Sequence, residues 1–271
     1  MRKIFNFQFS IFKRYLKVWL KLTGYSFMTT LTSRFSFTLF LFGKILRFIL
    51  FFVFLLLLLS RTKVLVGYNL YQAAFFVLTY NLIDTGVQLF FREVYRFRPL
   101  VVSGNFDLVL VKPFSPLFRS LLGGADVIDL FMAVPFLSGA IYLMTKLDQF
   151  SLIGLIFYIL LVFNAFIIAT AFHIAVLALG VLTTEIDNTI MLYRDVTRMG
   201  TVPIDIYKEP LRGFLTFVIP VGIMMTFPPK ALMGLLSWWG IAISFIIGGF
   251  LFYLSLKFWQ YALRRYSSAS S

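Results

Sequence analysis

FSFTLFLFGKILRFILFFVFLLLLL, residues 35–59, is the stretch on which the fold turns. It ends in the unbroken apolar run Phe48–Leu59. Wound as a helix at about 1.5 Å per residue, it exceeds the roughly 30 Å hydrocarbon core of a bilayer. Lys44 and Arg47 come early in it, where long side chains can snorkel to a headgroup layer. Arg61-Thr62-Lys63 then reads as a short outer turn, and 67–91 as a second span running back. Asp84 lies in that second span, a costly place for a carboxylate unless another helix or water faces it.

Composition extends this reading to the whole chain. Its 271 residues are 60% hydrophobic and 13% charged, with mean hydropathy +0.91. A soluble domain of this length cannot bury so much apolar surface, so the class is all-α integral membrane. A net charge of +14 would suggest nucleic acid in a soluble protein. Here the cations cluster at span ends, which points to topology and membrane lipids, with no nucleic-acid partner. The absence of cysteine excludes disulfides and thiolate metal sites. Met1–Lys3 is basic, but Asn6, Gln8 and Ser10 break Ile4–Ile11 and no small-residue site follows, which speaks against a cleaved signal peptide.

The second span leads into FREVYRFRPLVVSGNFDLVLVKPFSPLFRS, Phe91 to Ser120. This loop carries Arg92, Arg96, Arg98, Lys112 and Arg119 against Glu93 and Asp107. It has its own turn chemistry at Ser103-Gly104-Asn105, Lys112-Pro113 and Ser115-Pro116. Its positive charge assigns it to the cytoplasm, where a folded loop of this size presents a surface to a partner. Asp107 is expected to cap or anchor the turn, with Pro113 and Pro116 stiffening it. Arg92, beside the membrane, reads as a positive-inside anchor; for Arg98 that reading and a partner contact both stand.

The remaining elements follow from hydropathy. Residues 5–22 read as an amphipathic helix, Lys13, Lys17 and Lys21 facing away from Phe12, Tyr15, Leu16, Trp19 and Leu20, so 1–34 is expected to lie in the headgroup layer. A third span covers 126–145, opening with Asp126 and Asp129; after the turn Lys146–Gln149, 150–182 is a fourth, long enough to tilt or protrude. The last span is 236–256, with Lys257, Arg264 and Arg265 behind it. Between 183 and 235 two paths fit. Either 211–227 is the fifth span, or 184–200 is, with 201–235 an outer re-entrant segment covered by protein. Both give six transmembrane helices with both termini inside.

Several chemistries are missing. No G-x-x-x-x-G-K-[ST] phosphate loop, G-x-S-x-G elbow or H-E-x-x-H pair occurs, so no catalytic, cofactor or metal residues are assigned. His173, the single histidine, sits mid-span without a second ligand and reads as a hydrogen-bonded interior residue. Asp84, Glu185 and Asp187 could serve an ion-coupled secondary transporter, but no span holds a repeated acidic face. A non-transporting membrane scaffold is a third class. The 35 phenylalanines read as lipid-facing and helix-packing groups, not as a cargo site.

Three stretches resemble the permease subunits of type-2 ABC transporters, in particular a bacterial six-span subfamily. Gly104-Asn105-Phe106-Asp107 through Lys112-Pro113-Phe114-Ser115-Pro116 is similar to its G-x-[LF]-D-x-x-L-x-[KR]-P-x-[SN]-P loop. Val202-Pro203-Ile204-Asp205-Ile206-Tyr207, Leu211-Arg212, Phe214–Pro220 and Pro228–Leu232 resemble its [YF]-P-[LI]-x-I-Y … L-R-x-x-L-T-F-x-[IV]-P … P-A stretch. Ala262–Ser271 is similar to its A-L-x-R-Y-S-[SG]-A ending. Lys230 between Pro229 and Ala231, and the charge of 183–199, depart from the pattern. The resemblance implies a permease domain over 35–271 of an exporter in the bacterial inner membrane. It would pair with a second copy or a sister permease and bind separate ABC ATPase subunits, which hold the ATP–Mg. The 92–120 loop, with Arg96, Arg98, Gly104, Asp107, Lys112, Pro113 and Pro116, would couple to them. Pro203, Asp205, Tyr207, Arg212, Pro220 and Pro228 would belong to a re-entrant hairpin at 201–235, the second of the two paths.

Overall fold

An α-helix satisfies its own backbone, which is why apolar segments of this length take that form in hydrocarbon. The computed structural model describes residues 2–62, 65, 67–148, 150–183 and 187–267, with side chains from Phe12 onward except at 55 and 58–62. In chain order its helices are α1 (Arg2–Thr32), α2 (Arg34–Thr62), α3 (Leu70–Phe91), α4 (Phe97–Val102), α5 (Phe106–Leu110), α6 (Pro116–Leu121), α7 (Val127–Met144), α8 (Leu152–Thr183), α9 (Asp187–Arg198), α10 (Leu211–Gly213), α11 (Phe227–Leu232) and α12 (Trp238–Arg265). A 3-10 turn at Arg92–Arg96 joins α3 to α4; others lie at Met199–Thr201 and Ile204–Ile206. Two π-helical turns, Phe214–Val218 and Gly222–Thr226, separate α10 from α11.

Side-chain caps fix several helix starts. Asn69 and Gln72 form a reciprocal capping box on α3. Asp126 accepts from Ile128 and Asp129 to open α7, and Ser237 accepts from Gly240 to open α12. In the centre, α8 packs along α12 and α3 packs against α7 and α8. Asn164 of α8 donates 2.8 Å to the Ser244 carbonyl of α12, both buried. One turn on, a Cβ at Gly248 would stand 2.1 Å from Asn164 Oδ1. The two helices meet closely because that position has no side chain. Thr79 of α3 and Tyr158 of α8 share a buried hydroxyl pair at 3.2 Å.

Five helices among the described residues are long and apolar enough to cross a bilayer. A sixth counts only if Leu211–Val218 and Gly222–Leu232, bent by 82° at the break, are taken as one span. The expected helical span over 184–200 takes a different form. α9 has 12 residues, about 18 Å at 1.5 Å per residue, short of a hydrocarbon core. Residues 184–186, including Glu185, lie outside the described residues, as do Lys63, Gln149 and the end of the tail, 268–271. Past α9 the climb continues in the two 3-10 turns. Asp187 pairs with Arg98 beyond the last turn of α3, and Asp205 accepts 2.9 Å from Tyr68 just before its first. Residues 187–205 therefore run the length of α3.

The bent segment returns to the Tyr68 end of the bundle. Lys230 of α11 pairs with Asp205 at 2.8 Å, and Leu232 and Met233 join the core around Tyr68 and Ala73. Between its limbs the buried Pro220 accepts from Met224 at 3.0 Å. Val221 and Met225 pack on Gly200, deeper in the bundle, and Thr226 Oγ1 accepts from the Ile204 amide at 3.1 Å.

Gly248→Val is expected to lower the thermal midpoint of the purified protein in detergent, by strain of about 1–3 kcal/mol. Gly249→Val, whose added Cβ meets nothing within 4 Å, leaves the midpoint in place. Equal midpoints for the two variants contradict the α8–α12 packing described here.

Candidate functional site

The loop between α3 and α7 folds around its own aromatic centre. Phe97 of α4 and Phe106 of α5 are fully buried and meet edge to face at 5.1 Å. Gly104 makes the turn between the two helices at φ +73°, a left-handed conformation that favours glycine. Ser103 Oγ donates to the Pro99 carbonyl at 2.6 Å and accepts from Asn105 at 2.8 Å, closing the same corner. Ser115 caps α6, with Pro116 in its first turn.

This folded unit is fastened to three other parts of the chain. Toward the last helix, Phe106 packs on Trp259 at 6.4 Å and on Tyr266 at 5.2 Å, ring edge against ring face. Each such aromatic pair is worth about 0.5–1.5 kcal/mol beyond the area it buries. Tyr266 also donates its hydroxyl to Asp107 at 2.9 Å. Burial and that bond raise the phenol to about 12, so it stays protonated and donating at neutral pH. Toward the span ends, Arg119 pairs with Glu93 at 2.6 Å and Arg92 with Asp126 at 3.3 Å. Toward α1, Arg14 donates to the Pro113 carbonyl at 3.1 Å. Tyr15 accepts from the Ser115 amide at 3.1 Å and stacks edge-on against Phe118 at 4.7 Å. Thr23 accepts from the Ala125 amide at 3.2 Å.

What remains outward is Arg96, Lys112 and Pro113 among three apolar side chains, Val102 (54% exposed), Leu108 (59%) and Val111 (80%). Arg98, also exposed, pairs with Asp187 at 3.2 Å. Of the loop residues singled out from sequence, Arg96, Lys112 and Pro113 thus share the exposed face. Asp107 ties the loop to the chain's tail, where a local turn cap was expected. Glu93 entered only as one of the loop's two carboxylates, and Trp259 and Arg14 were not singled out at all. Trp259 had a signal: Ser255, Trp259, Ala262 and Tyr266 recur at helical spacing on one face of α12 and its extension, and the first three are buried.

The residues of 201–235 come together at the other end of the bundle. Asp205 is held by Tyr68 and by Lys230, the residue that departs from the expected pattern. Tyr207 donates to the Met199 carbonyl at 3.0 Å, and Arg212 pairs with Glu209 at an exposed corner. Pro203, Pro220 and Pro228 are buried. His173 is buried and bonded through Nδ1 to the Ala169 carbonyl at 2.8 Å. Among the described residues no group of three or more histidines or carboxylates is placed to hold a metal ion.

Asp84 faces a cavity of about 180 Å³ bounded by α2, α3, α7 and α9. Lys44 reaches across it to an ion pair with Asp129, a partner in the protein where snorkelling to a surface was expected. Arg47 and Arg194 also line the space, with Tyr80, Asn81 and Gln88 among the polar groups and Phe48, Phe51 and Phe136 among the apolar ones.

A family model described as "ABC-2 family transporter protein" matches residues 44–270. The chain belongs to that family. No curated protein and no solved structure matches it. Membership makes the chain a multi-pass membrane permease subunit of an ABC-type transporter, a component of transport and not itself an enzyme. It also suggests association with ABC ATPase partners.

Phe106→Ala empties the centre of the loop, a loss of about 3–5 kcal/mol for a buried aromatic. In protein held in membranes, trypsin is expected to cut after Arg96, exposed beside the buried Phe97, several-fold faster in this variant. Leu108→Ala, on the exposed face, leaves the rate unchanged; a Phe106→Ala rate equal to it contradicts the anchoring.

Proposed function

We propose that this permease works in an exporter of the bacterial inner membrane and receives the work of ATP hydrolysis through the 92–120 loop. The observation that carries this reading is the loop's two-sidedness. Its underside is fastened to α12, to α1 and to the start of α7, while its free face offers Val102, Leu108 and Val111 beside Arg96 and Lys112. An apolar centre with a cationic rim suits a groove on an ATPase subunit that has acidic edges. A push there is passed to whole helices, since the loop is not free to flex beneath it.

In this reading both termini and the loop are cytoplasmic, and α1 lies along the inner membrane face. Segment 201–235 is a re-entrant hairpin entered from outside. Supporting the hairpin are the return of both limbs to the Tyr68 end and the cover given to Val221–Thr226 by α3, α8 and the turn at Gly200. Two copies, or this chain and a sister permease, would enclose the path. ATP–Mg belongs to the ATPase subunits, and no cofactor is assigned to this chain.

The double variant Leu108→Asp with Val111→Asp changes exposed side chains only, so it is expected to fold and reach the membrane. Copurification of the ATPase subunit should fall at least tenfold, the loss of about 1.4 kcal/mol or more of binding. Undiminished copurification and transport would show that the ATPase seats elsewhere. For the topology, single cysteines replacing Lys208 and Lys112, both exposed, are expected to react with an impermeant thiol reagent from outside and inside the cell respectively. Labelling of both from one side contradicts the hairpin.

A further inference from the structure

The cavity beside Asp84 carries more positive than negative charge, and two of its acceptors lack donors. Lys44 is matched by Asp129 and Arg92 by Asp126. The one further carboxylate on the wall, Asp84, faces both Arg47 and Arg194. One guanidinium is therefore in excess. Among the described residues Arg47 makes no hydrogen bond or ion pair, and Arg194 has only the face of the Tyr95 ring, at 5.6 Å. On the other side, Gln88 Oε1 and Asp129 Oδ2 accept no hydrogen bond, although the two residues are 7% and 2% exposed. The orphaned acceptors are buried and cost free energy; Arg47 is exposed and Arg194 half-buried, so the unmatched guanidinium is within reach of a ligand from outside. A ligand that brings an anion for the guanidinium and an O–H or N–H for the acceptors satisfies both.

Position narrows the ligand further. Arg92 and Asp126 place the mouth of the cavity at the end of the bundle that carries the 92–120 loop. That is the level of one headgroup layer. Arg47 is supplied by α2, whose apolar window has none of its residues buried inside the protein, so this wall fronts lipid. Phe48, Phe51 and Phe136 continue the wall as an apolar surface.

We propose that the cavity binds a phosphate ester whose neighbouring group carries a hydroxyl or amine, and that it takes this headgroup from an anionic phospholipid. Arg47 and Arg194 receive the phosphate; Gln88 and Asp129 accept from the hydroxyl or amine; the chains lie along Phe48 and Phe51. The proposal stands on this chain alone and does not depend on the ATPase reading.

The test is thermal unfolding of the purified full chain in neutral detergent, titrated with three probes. Short-chain phosphatidylglycerol has the phosphate, hydroxyl donors and chains; phosphatidylcholine has no donor; glycerol phosphate has no chains. Phosphatidylglycerol is expected to raise the midpoint saturably. Phosphatidylcholine and glycerol phosphate should each need at least about tenfold more ligand for the same rise. Arg47→Gln, on the lipid-facing helix, weakens the phosphatidylglycerol response about tenfold, and Gln88→Leu removes the preference over phosphatidylcholine. Lys257→Gln, an exposed cation of α12 outside the cavity, leaves the response unchanged. Equal responses to phosphatidylglycerol and phosphatidylcholine, or an Arg47→Gln response like that of the unsubstituted protein, overturn the site. Equal potency of glycerol phosphate and phosphatidylglycerol overturns the lipid source and assigns a soluble phosphate ester.

Discussion

The insertion of Phe106 between Phe97, Trp259 and Tyr266 is the contact on which the rest depends. It converts a loop that lies between two spans in sequence into an extension of a third, the last helix. The hydroxyl bond from Tyr266 to Asp107 fixes its direction, and Arg119–Glu93 and Arg92–Asp126 fix its ends. Without the aromatic wedge those polar contacts would be exposed pairs, worth little each. With it, α4, α5 and α6 form one body with the ends of α3, α7 and α12.

A second constraint acts at the other end of the bundle. Backbone at membrane depth must satisfy its N–H and C=O groups from within the protein. The bend at Pro220 breaks a helix at a buried position, so the missing partners must come from the protein. It is tolerated because π-helical turns on both sides keep their own bonds, because Thr226 meets the Ile204 amide, and because α3, α8 and Gly200 cover the segment. The Tyr68–Asp205–Lys230 set then ties the returning limb to the start of α3.

Much of this was legible in the sequence where the signal is local. Spans announce themselves by length and hydropathy, and α2, α3, α7, α8 and α12 fall where Phe48–Leu59 and its counterparts suggest. Gly104, Pro113 and Pro116 marked the corners of the loop because turn chemistry is written in neighbouring residues. The path of 183–206 was not legible from hydropathy, which counts Arg194 and Thr197 as solvated. In the fold Thr197 is buried in α9, and Arg194 lies over Tyr95 in the bundle. Equally hidden were the long-range pairs: Lys44 with Asp129, Arg14 with Pro113 and Tyr266 with Asp107 join residues that no periodicity connects. Lys230, a departure from the expected motif, is explained by Asp205 alone.

If the loop transmits work as a rigid extension of α12, the two must keep their distance while the transporter turns over. Pulsed electron-spin measurements between labels at Val111 and Tyr261, in the permease–ATPase complex with and without trapped ATP, test this directly. The account predicts one unchanged distance in both states. A shift of several ångströms, or a distribution that broadens when ATP binds, would mean that the loop moves independently of the helix and that coupling takes another route.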